Sequence, residues 1–430
     1  MRDFQKNFTS SFFAVLSLPA TAMGFALSVQ IAALSWILNT KFGMDLHEIG
    51  IVWAAGPTAG IIGQVLVGWI SDGVWFWGGR RRPFILIGGI IAALMLLALP
   101  NIDIISEALG FEEILGVAIA VALSLDLAIN ISFNPTRSII ADVTTDGPVR
   151  TKGYTWMQTV SGFFGVIAYL IGAFVSNYVL IYMGAGLVFV FSVLPTLFIT
   201  EPRQLNENPD GTVQAKGKTN IPEFLKICVA HAFTWLGVQT MFVYSFAYIK
   251  EVIMGFDTAQ KLTEAQNNNI GLITGIAFAV LNTVGFLLPA FVLEPITEKI
   301  GRVKTHMLCI ATMSLGYVLI IFFGNSPTAF YVIMAVVGVG WAAVVSLPFA
   351  IMSETVDQSR MGLYMGLFNL SVVIPQLVAS SLGGFIDGQA DKTTIYIISA
   401  IALGASALLW LFVKESKNSG GKLAPGGGGH

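Results

Sequence analysis

A group of polar side chains interrupts a long apolar run in the first third of the chain. Residues 125–143 read LDLAINISFNPTRSIIADV and contain Asp126, Asn130, Asn134 and Arg137. The acid and the two asparagines are four residues apart, so on a helix they lie on one face. A carboxyl group held away from water loses the solvation of its charged form, and it can then take up and release a proton. This pattern predicts a proton-binding acid beside two amides.

The composition places this group in a lipid bilayer. The chain has 430 residues, of which 55% are hydrophobic and 11% charged, and its mean hydropathy is +0.76. Such values exclude an ordinary soluble protein of this length. The net charge of -2 and the absence of a basic tail give no indication of a nucleic-acid partner. Cys228 and Cys309 lie in apolar segments, so we expect no disulfide framework, no metal site and no cofactor.

Apolar segments long enough to cross a membrane recur along the whole chain. About 20 helical residues span a hydrocarbon core of about 30 Å, and short polar stretches separate the segments of this length. The predicted segments are 11–38, 48–70, 83–99, 114–141, 155–175, 179–199, 222–249, 269–293, 305–323, 328–352, 362–385 and 394–413. The sequence therefore predicts an all-α membrane protein with twelve transmembrane helices.

Lysine and arginine are distributed unevenly between alternate loops. If the amino terminus is cytoplasmic, the other side holds only Lys41, Lys250, Lys261 and Lys392. The positive-inside rule then predicts that both termini are cytoplasmic. The stretch EPRQLNENPDGTVQAKGKTN contains Gly, Pro and Asn and is a poor helix former, so it is interpreted as a flexible linker.

The linker divides the predicted helices into two groups of six. The predicted organisation is an amino-terminal six-helix bundle at 1–200, a cytoplasmic linker at 201–221, a carboxy-terminal six-helix bundle at 222–415 and a tail at 416–430. The end of the tail, GGKLAPGGGGH, resembles a cloning remnant. Twelve helices in two repeats are typical of a transporter.

Two loops at equivalent places in the two halves share one pattern. WISDGVWFWGGRRRP joins predicted helices 2 and 3, and EPITEKIGRVKT joins predicted helices 8 and 9. Each contains an acid, a glycine and then basic residues, which could dock on helix-end carbonyls and neighbouring acids in one conformation and release them in another. The alternative is simple topology signalling by positive charge. The predicted gating residues are Gly68, Asp72, Gly79, Arg80, Arg81 and Arg82.

These motifs resemble the major facilitator superfamily, whose first-half loop has the same order of glycine, aspartate, glycine and basic cluster. GRRRPFI, the 125–143 segment, SLPFAI and MGLYMGLFNLSVVIPQ are similar to its sucrose transporter branch, of the glycoside-pentoside-hexuronide cation symporter type. The resemblance covers both halves and implies the major facilitator fold. It also implies a bacterial relative of the plant sucrose carriers, a monomer that crosses the inner membrane several times.

Asp126 has two possible roles in such a protein. A charged side chain at the centre of a membrane costs about 2.5 to 3.5 kcal/mol on insertion scales, so an acid there serves either function or pairing. Helix–helix hydrogen bonds alone could satisfy it. The resemblance instead implies proton coupling, because the matching acid of the sucrose carriers is implicated in that step.

A neutral sugar requires partners for its hydroxyl groups and flat apolar surfaces for its C–H faces. Amides at bilayer depth both donate and accept hydrogen bonds, and aromatic rings supply the surfaces. The predicted substrate-binding residues are Asn130, Asn134, Arg137, Gln30, Gln64, Gln158, Gln239, Tyr244, Trp341, Asn369 and Gln376. For a single aromatic residue the alternative is packing, and for Arg137 it is a snorkelling anchor at the helix end.

The identity of the sugar stays open at this point. Within TWLGVQTMFVYSFAYIKE the chain has Ser245, Phe246 and Ala247 where plant sucrose carriers place a pair of acids. A different hydrogen-bonding set would select a different sugar, so sucrose, maltose and related α-glucosides all remain candidates. The predicted function is proton-coupled uptake of a disaccharide by alternating access.

The sequence favours this function over three other kinds of transporter and over an enzyme. A sugar facilitator would not need Asp126, and a sodium-coupled glycoside symporter would favour several clustered oxygens. A drug efflux antiporter should have a glycine-proline signature that TVSGFFGVIAYLIGA lacks. No nucleophile, base and orienting group occur at a recognisable spacing, so an enzyme is not expected.

Overall fold

The computed structural model describes residues 8–60, 67, 70, 74–111, 113–144, 148–201, 219–257, 260–353, 355–356 and 361–414. Within these residues the regular elements are helices, and Phe76 and Gly79 form an isolated antiparallel bridge. The helices of the first half are α1 (Ser10–Thr40), α2 (Leu46–Trp53), α3 (Arg82–Ala98), α4 (Ile102–Leu109), α5 (Leu115–Val143), α6 (Pro148–Phe174) and α7 (Asn177–Phe198).

The helices of the second half continue the numbering. They are α8 (Ile221–Tyr248), α9 (Glu264–Leu288), α10 (Glu294–Ile300), α11 (Arg302–Phe323), α12 (Pro327–Val344), α13 (Leu347–Ser353), α14 (Met361–Ser381), α15 (Gly383–Asp387) and α16 (Thr394–Trp410). A π-helical turn extends α8 over Ile249–Ile253, and another extends α9 over Pro289–Leu293.

Ten helical segments of the described residues are long and apolar enough to cross a membrane. They are Ser10–Thr40, Arg82–Leu109, Leu115–Ile140, Trp156–Phe174, Asn177–Phe198, Ile221–Ile253, Glu264–Leu288, Arg302–Phe323, Pro327–Met352 and Leu367–Asp387. Thr394–Trp410 is a shorter apolar helix. The all-helical, multi-pass prediction is confirmed. The count of twelve spans stays a prediction, since much of the predicted segment 48–70 lies outside the described residues.

Side chains at the helix starts explain several boundaries. The hydroxyl of Thr9 accepts the N–H of Phe12 at the start of α1, and that of Ser176 accepts the N–H of Val179 at the start of α7. At the start of α9, Thr263 and Gln266 form a reciprocal capping box. These bonds satisfy N–H groups that have no partner within the helix.

The chain divides into two compact units. The first unit comprises Met1–Gly43 and Ile51–Thr212, and the second comprises Met44–Gly50 and Val213–His430. In the first unit α1 packs on α6 and α7, while α3 packs on α5 and α7. In the second unit α8 packs on α14 and α16, while α11 packs on α12 and α16. The order of packed pairs along the chain is therefore the same in both units.

Each unit has its own apolar core. The core of the first unit includes Phe12 and Phe13 of α1 with Ile139 and Ile140 of α5. The core of the second unit includes Phe224, Cys309, Phe368 and Trp410. Cys309 and Cys228 are both free thiols. These cores hold rigid helices on which the polar groups described below are placed.

Candidate functional site

Asp126 is a buried acid with a neutral partner. It lies on α5 with 7% of its surface exposed, and its Oδ2 accepts a hydrogen bond of 3.0 Å from Nε2 of Gln30 on α1. Among the described residues no lysine or arginine forms an ion pair with it. The charged form is therefore stabilised by one amide dipole instead of a cation, so the site can exist in either protonation state.

A glycine provides the room for this carboxyl group. A Cβ atom built on Gly56 would lie 3.0 Å from Oδ2 and 3.1 Å from Cγ of Asp126. That separation is tighter than ordinary van der Waals contact, so a side chain there would push against the acid. Asp126 thus sits where α5 and α1 meet the helical segment 55–60.

The other polar residues of the 125–143 segment take different roles. Asn130 is half-buried, and its Nδ2 donates a hydrogen bond of 2.8 Å to the backbone carbonyl of Asp126, one turn earlier on α5. The guanidinium of Arg137 lies over the ring of Phe133, with Cζ 4.2 Å from the ring centroid, in a cation–π contact. Asn134 lies on α5, but its side chain is outside the described residues.

Two glutamines predicted to bind substrate meet in the second unit. Nε2 of Gln376 on α14 donates a hydrogen bond of 3.3 Å to Oε1 of Gln239 on α8. Gln239 is 5% exposed and Gln376 is half-buried. The pairing uses one donor and one acceptor, so Nε2 of Gln239 and Oε1 of Gln376 remain without a partner among the described residues. Such a pair can both donate to and accept from a sugar hydroxyl.

The indole of Trp341 on α12 is held in one orientation. Its Nε1 donates a hydrogen bond of 3.3 Å to Oδ1 of Asn282 on α9. Its ring makes edge contacts with Trp235 and Phe242, with ring centroids 6.2 and 5.2 Å away. A Cβ built on Gly285 would lie 2.5 Å from Cδ1 of Trp341, so only glycine leaves space for the indole. Trp341 is a rigid, largely buried aromatic surface.

The imidazole of His231 contacts Trp235, one of the rings packed against Trp341. Nε1 of Trp235 donates a hydrogen bond of 2.9 Å to Nε2 of His231, one turn away on α8. The imidazole stacks on the ring of Phe368, with centroids 4.8 Å apart. The acceptor role fixes Nε2 as unprotonated. His231 and Asn282 were not among the predicted site residues. The contact of Asn282 with Trp341 depends on how α9 packs on α12, whereas the four-residue spacing of His231 and Trp235 on α8 is visible in the sequence.

Three further predicted residues have other surroundings. Tyr244 is buried, and its hydroxyl lies 2.8 Å from the Ser380 carbonyl and 3.2 Å from that of Ala379, to which it donates. Tyr244 therefore links α8 to the backbone of α14. Gln158 is exposed on α6, and Asn369 is half-buried on α14.

The basic loop before α3 contains an acid that the sequence patterns did not single out. The carboxylate of Glu201 accepts the backbone N–H groups of Arg80 and Arg81 at 2.8 Å and that of Arg82 at 2.7 Å. Glu201 is 5% exposed, and a Cβ on Gly79 would lie 2.6 Å from its Oε1. A negative charge at the positive end of α3 stabilises that helix.

The guanidinium of Arg82 also joins α3 to the end of α7. It donates to the backbone carbonyl of Thr196 and, at 3.5 Å, to that of Gly78. This contact links two helices of the first unit, and the gating role of Arg82 and its neighbours stays a prediction. Arg81 is buried. The predicted residues Gln64, Gly68 and Asp72 lie outside the described residues.

Comparison with known families gives a match over most of the chain. The profile of the Major Facilitator Superfamily matches residues 16–372 and 261–428. The sucrose transport protein SUT5 of Oryza sativa subsp. indica is 24% identical over 468 residues, covering 93% of this chain and 87% of the rice protein. The sucrose transport protein SUC4 of Arabidopsis thaliana is 22% identical, covering 84% of this chain and 81% of the relative.

Solved structures show the same fold at low sequence identity. The nucleoside transporter NupG superposes with a TM-score of 0.63 at 14% identity, covering 93% of this chain and 97% of NupG. An auto-inhibited peptide transporter of the POT family superposes with a TM-score of 0.67 at 10% identity, covering 97% of this chain and all of that one (100%). At these identities the likeness concerns the fold alone.

Proposed function

The chain belongs to the Major Facilitator Superfamily, and from this premise we propose that it is a proton-coupled symporter that takes up a disaccharide by alternating access. It is a multi-pass membrane transporter and not an enzyme. The relatives that it matches are also transporters. Its predicted resemblance to the sucrose transporter branch is confirmed by those relatives. The proposed cargo is sucrose, maltose or a related α-glucoside. The choice among these sugars stays open because Ser245, Phe246 and Ala247 stand where the plant sucrose carriers place a pair of acids.

The observation that carries the proposal is the buried pair of Asp126 and Gln30. An acid at bilayer depth is costly in its charged form, and here an amide is its hydrogen-bond partner among the described residues. Access of water from one side would let the carboxyl group equilibrate with protons on that side. Closure of that access would favour the neutral form, since the charged form would lose its solvation.

The sugar is proposed to bind to the fixed polar and aromatic groups of the second unit. The amides of Gln239 and Gln376 suit hydroxyl groups, and the indole of Trp341 suits the C–H face of a pyranose ring. Protonation of Asp126 must raise sugar affinity by the same factor by which bound sugar raises proton affinity, because the coupling free energy is reciprocal.

Uptake into proteoliposomes tests this proposal. The purified protein would be given labelled sucrose and maltose with an inward proton gradient, with a sodium gradient, or with neither. We expect accumulation only with the proton gradient. Asp126→Asn should abolish accumulation and retain sugar exchange between the two sides. Asp391→Asn is a matched control, because Asp391 is an exposed acid at the start of α16.

The other outcomes identify the alternative functions. Accumulation driven by sodium would indicate a sodium-coupled glycoside symporter. Equilibration without accumulation would indicate a facilitator, and full accumulation by Asp126→Asn would refute the coupling role. A monomer in the bacterial inner membrane, with both termini cytoplasmic, completes the proposal and rests on the resemblance and the charge distribution.

A further inference from the structure

The loop before α3 folds into a short aromatic hairpin, residues 74–79. The N–H of Phe76 donates to the carbonyl of Gly79 at 3.1 Å, and the N–H of Gly79 returns a bond of 3.2 Å to the carbonyl of Phe76. The two residues between them, Trp77 and Gly78, have φ of +48° and +76°. Two consecutive positive φ values are those of a tight hairpin turn of the type I′ kind.

Tryptophan is an unusual residue for the first position of this turn. A bulky side chain in the left-handed region is strained, and glycine, asparagine or aspartate normally occupies such a position. Strain of this kind persists where it serves a function. Its effect here is to project an indole outward, since 68% of Trp77 and 37% of Trp75 are exposed.

Ring contacts attach Phe76 of the hairpin to α3. The ring of Phe76 packs edge-on against Phe84 of α3, with centroids 5.7 Å apart, and lies 5.4 Å from the ring of Trp77. The exposed indoles therefore belong to a fixed platform at the start of α3. That start is also the first residue of the membrane-spanning segment Arg82–Leu109, so the hairpin lies next to a membrane surface.

The hairpin is followed by Arg80, Arg81 and Arg82, whose partners among the described residues differ. The backbone N–H groups of Arg80, Arg81 and Arg82 are used by Glu201, the guanidinium of Arg82 is bonded to carbonyls, and Arg81 is buried. Arg80 is half-buried, and its guanidinium forms no hydrogen bond or ion pair with the described residues. An indole pair next to such a cation combines the two residue types favoured at membrane interfaces.

We propose that the aromatic hairpin binds an anionic phospholipid, with the indoles of Trp75 and Trp77 at the boundary of the acyl chains and the guanidinium of Arg80 on the headgroup phosphate. Guanidinium groups recognise phosphate through two parallel hydrogen bonds, and indoles favour the interfacial region. Through Phe76 and Phe84 the bound lipid would hold the start of α3 at a set depth. The proposed lipid site uses none of the residues assigned above to the sugar or to the proton.

Photocrosslinking tests the proposal directly. Trp77 is replaced by the photoreactive amino acid p-benzoylphenylalanine in the full chain, which is reconstituted in vesicles of phosphatidylcholine with a quarter of phosphatidylglycerol. After irradiation, mass spectrometry identifies the adducts. We expect phosphatidylglycerol to be enriched in the adducts at least threefold over its share of the vesicle, and Arg80→Gln in the same protein to remove the enrichment.

A second position controls for general contact with lipid. Phe111 is 58% exposed in the turn after α4, and the same amino acid placed there should react with lipids in proportion to their abundance. Adducts at position 77 without enrichment, adducts within the protein, or adducts to a second copy would each overturn the proposal. The readout needs no transport, so loss of sugar uptake and loss of lipid enrichment are distinguished.

Discussion

The polar centres of the two units differ in charge although their helices pack in the same order. In the first unit the centre is the acid Asp126 with the amide of Gln30. In the described residues of the second unit the corresponding groups are neutral, namely the pair of Gln239 and Gln376 and the indole of Trp341. A repeated packing pattern thus supports two different chemistries.

This difference suggests a division of roles in the proposed cycle. A group whose charge changes alters the free energy of a low-dielectric environment by several kcal/mol, whereas neutral amides and rings leave it nearly unchanged. The first unit would then respond to the proton, and the second would recognise the sugar through fixed geometry. The following substitutions test whether the two roles can be separated.

The largest effect is expected from Asp126→Asn. Sugar addition to the wild-type protein in proteoliposomes should draw protons inward, and a trapped pH dye would record the change. The variant should show less than a tenth of this signal, because asparagine cannot carry a proton. Sugar binding at low pH should survive. If binding and proton movement disappeared together, the separation of roles would be wrong.

Trp341→Ala should weaken sugar binding about tenfold or more. The substitution removes an indole that Asn282, Phe242 and Gly285 hold in place, and with it the apolar surface for the sugar ring. Calorimetric titration of the purified protein measures the loss. Gly285→Ala places a methyl group against Cδ1 of the same indole and should weaken binding less. Unchanged affinity in both variants would remove Trp341 from the sugar site.

Gln30→Leu should move the pH dependence of uptake upward by about one pH unit. The amide donates to the carboxylate, so its removal destabilises the charged form and the acid holds its proton to higher pH. Initial uptake rates between pH 5 and 9 provide the measurement. Gln260→Leu is the control, because Gln260 is exposed between α8 and α9 and belongs to no predicted site. A downward shift would contradict the role given to Gln30.

The smallest effect is expected from a substitution at the start of α3, which is capped differently from the start of α11. Glu201 caps α3 in the first unit, whereas α11 follows Gly301, which has φ of +88°, and has no side-chain cap. Glu201→Gln should lower the free energy of unfolding by about 1 kcal/mol, because the charge at the helix end is lost. The midpoint of thermal unfolding in detergent is measured for Glu201→Gln and for the control Glu113→Gln. Glu113 is an exposed acid before α5. Equal midpoints would show that the cap contributes no stability.

Some of the site could be predicted from residue type and position alone. Asp126 stands out because an acid in an apolar helix is uncommon, and the structure finds it buried. Trp341 is one of many aromatic residues in the apolar segments, so its burial is equally expected from packing. The partners could not be predicted in this way. Gln30 is 96 positions from Asp126, and Asn282 is 59 positions from Trp341. No periodicity links residues so far apart.

The sequence by itself determined that this protein is helical and spans a membrane. Local hydrophobicity is enough for that, because a chain in lipid must satisfy its backbone hydrogen bonds within each helix. Only the tertiary structure decided what each polar side chain does. It placed Glu201 on the amides of α3, Tyr244 on the carbonyls of α14 and Gln30 on the acid of α5. A buried polar group takes the partner that packing brings to it, and packing depends on contacts between helices distant in the chain.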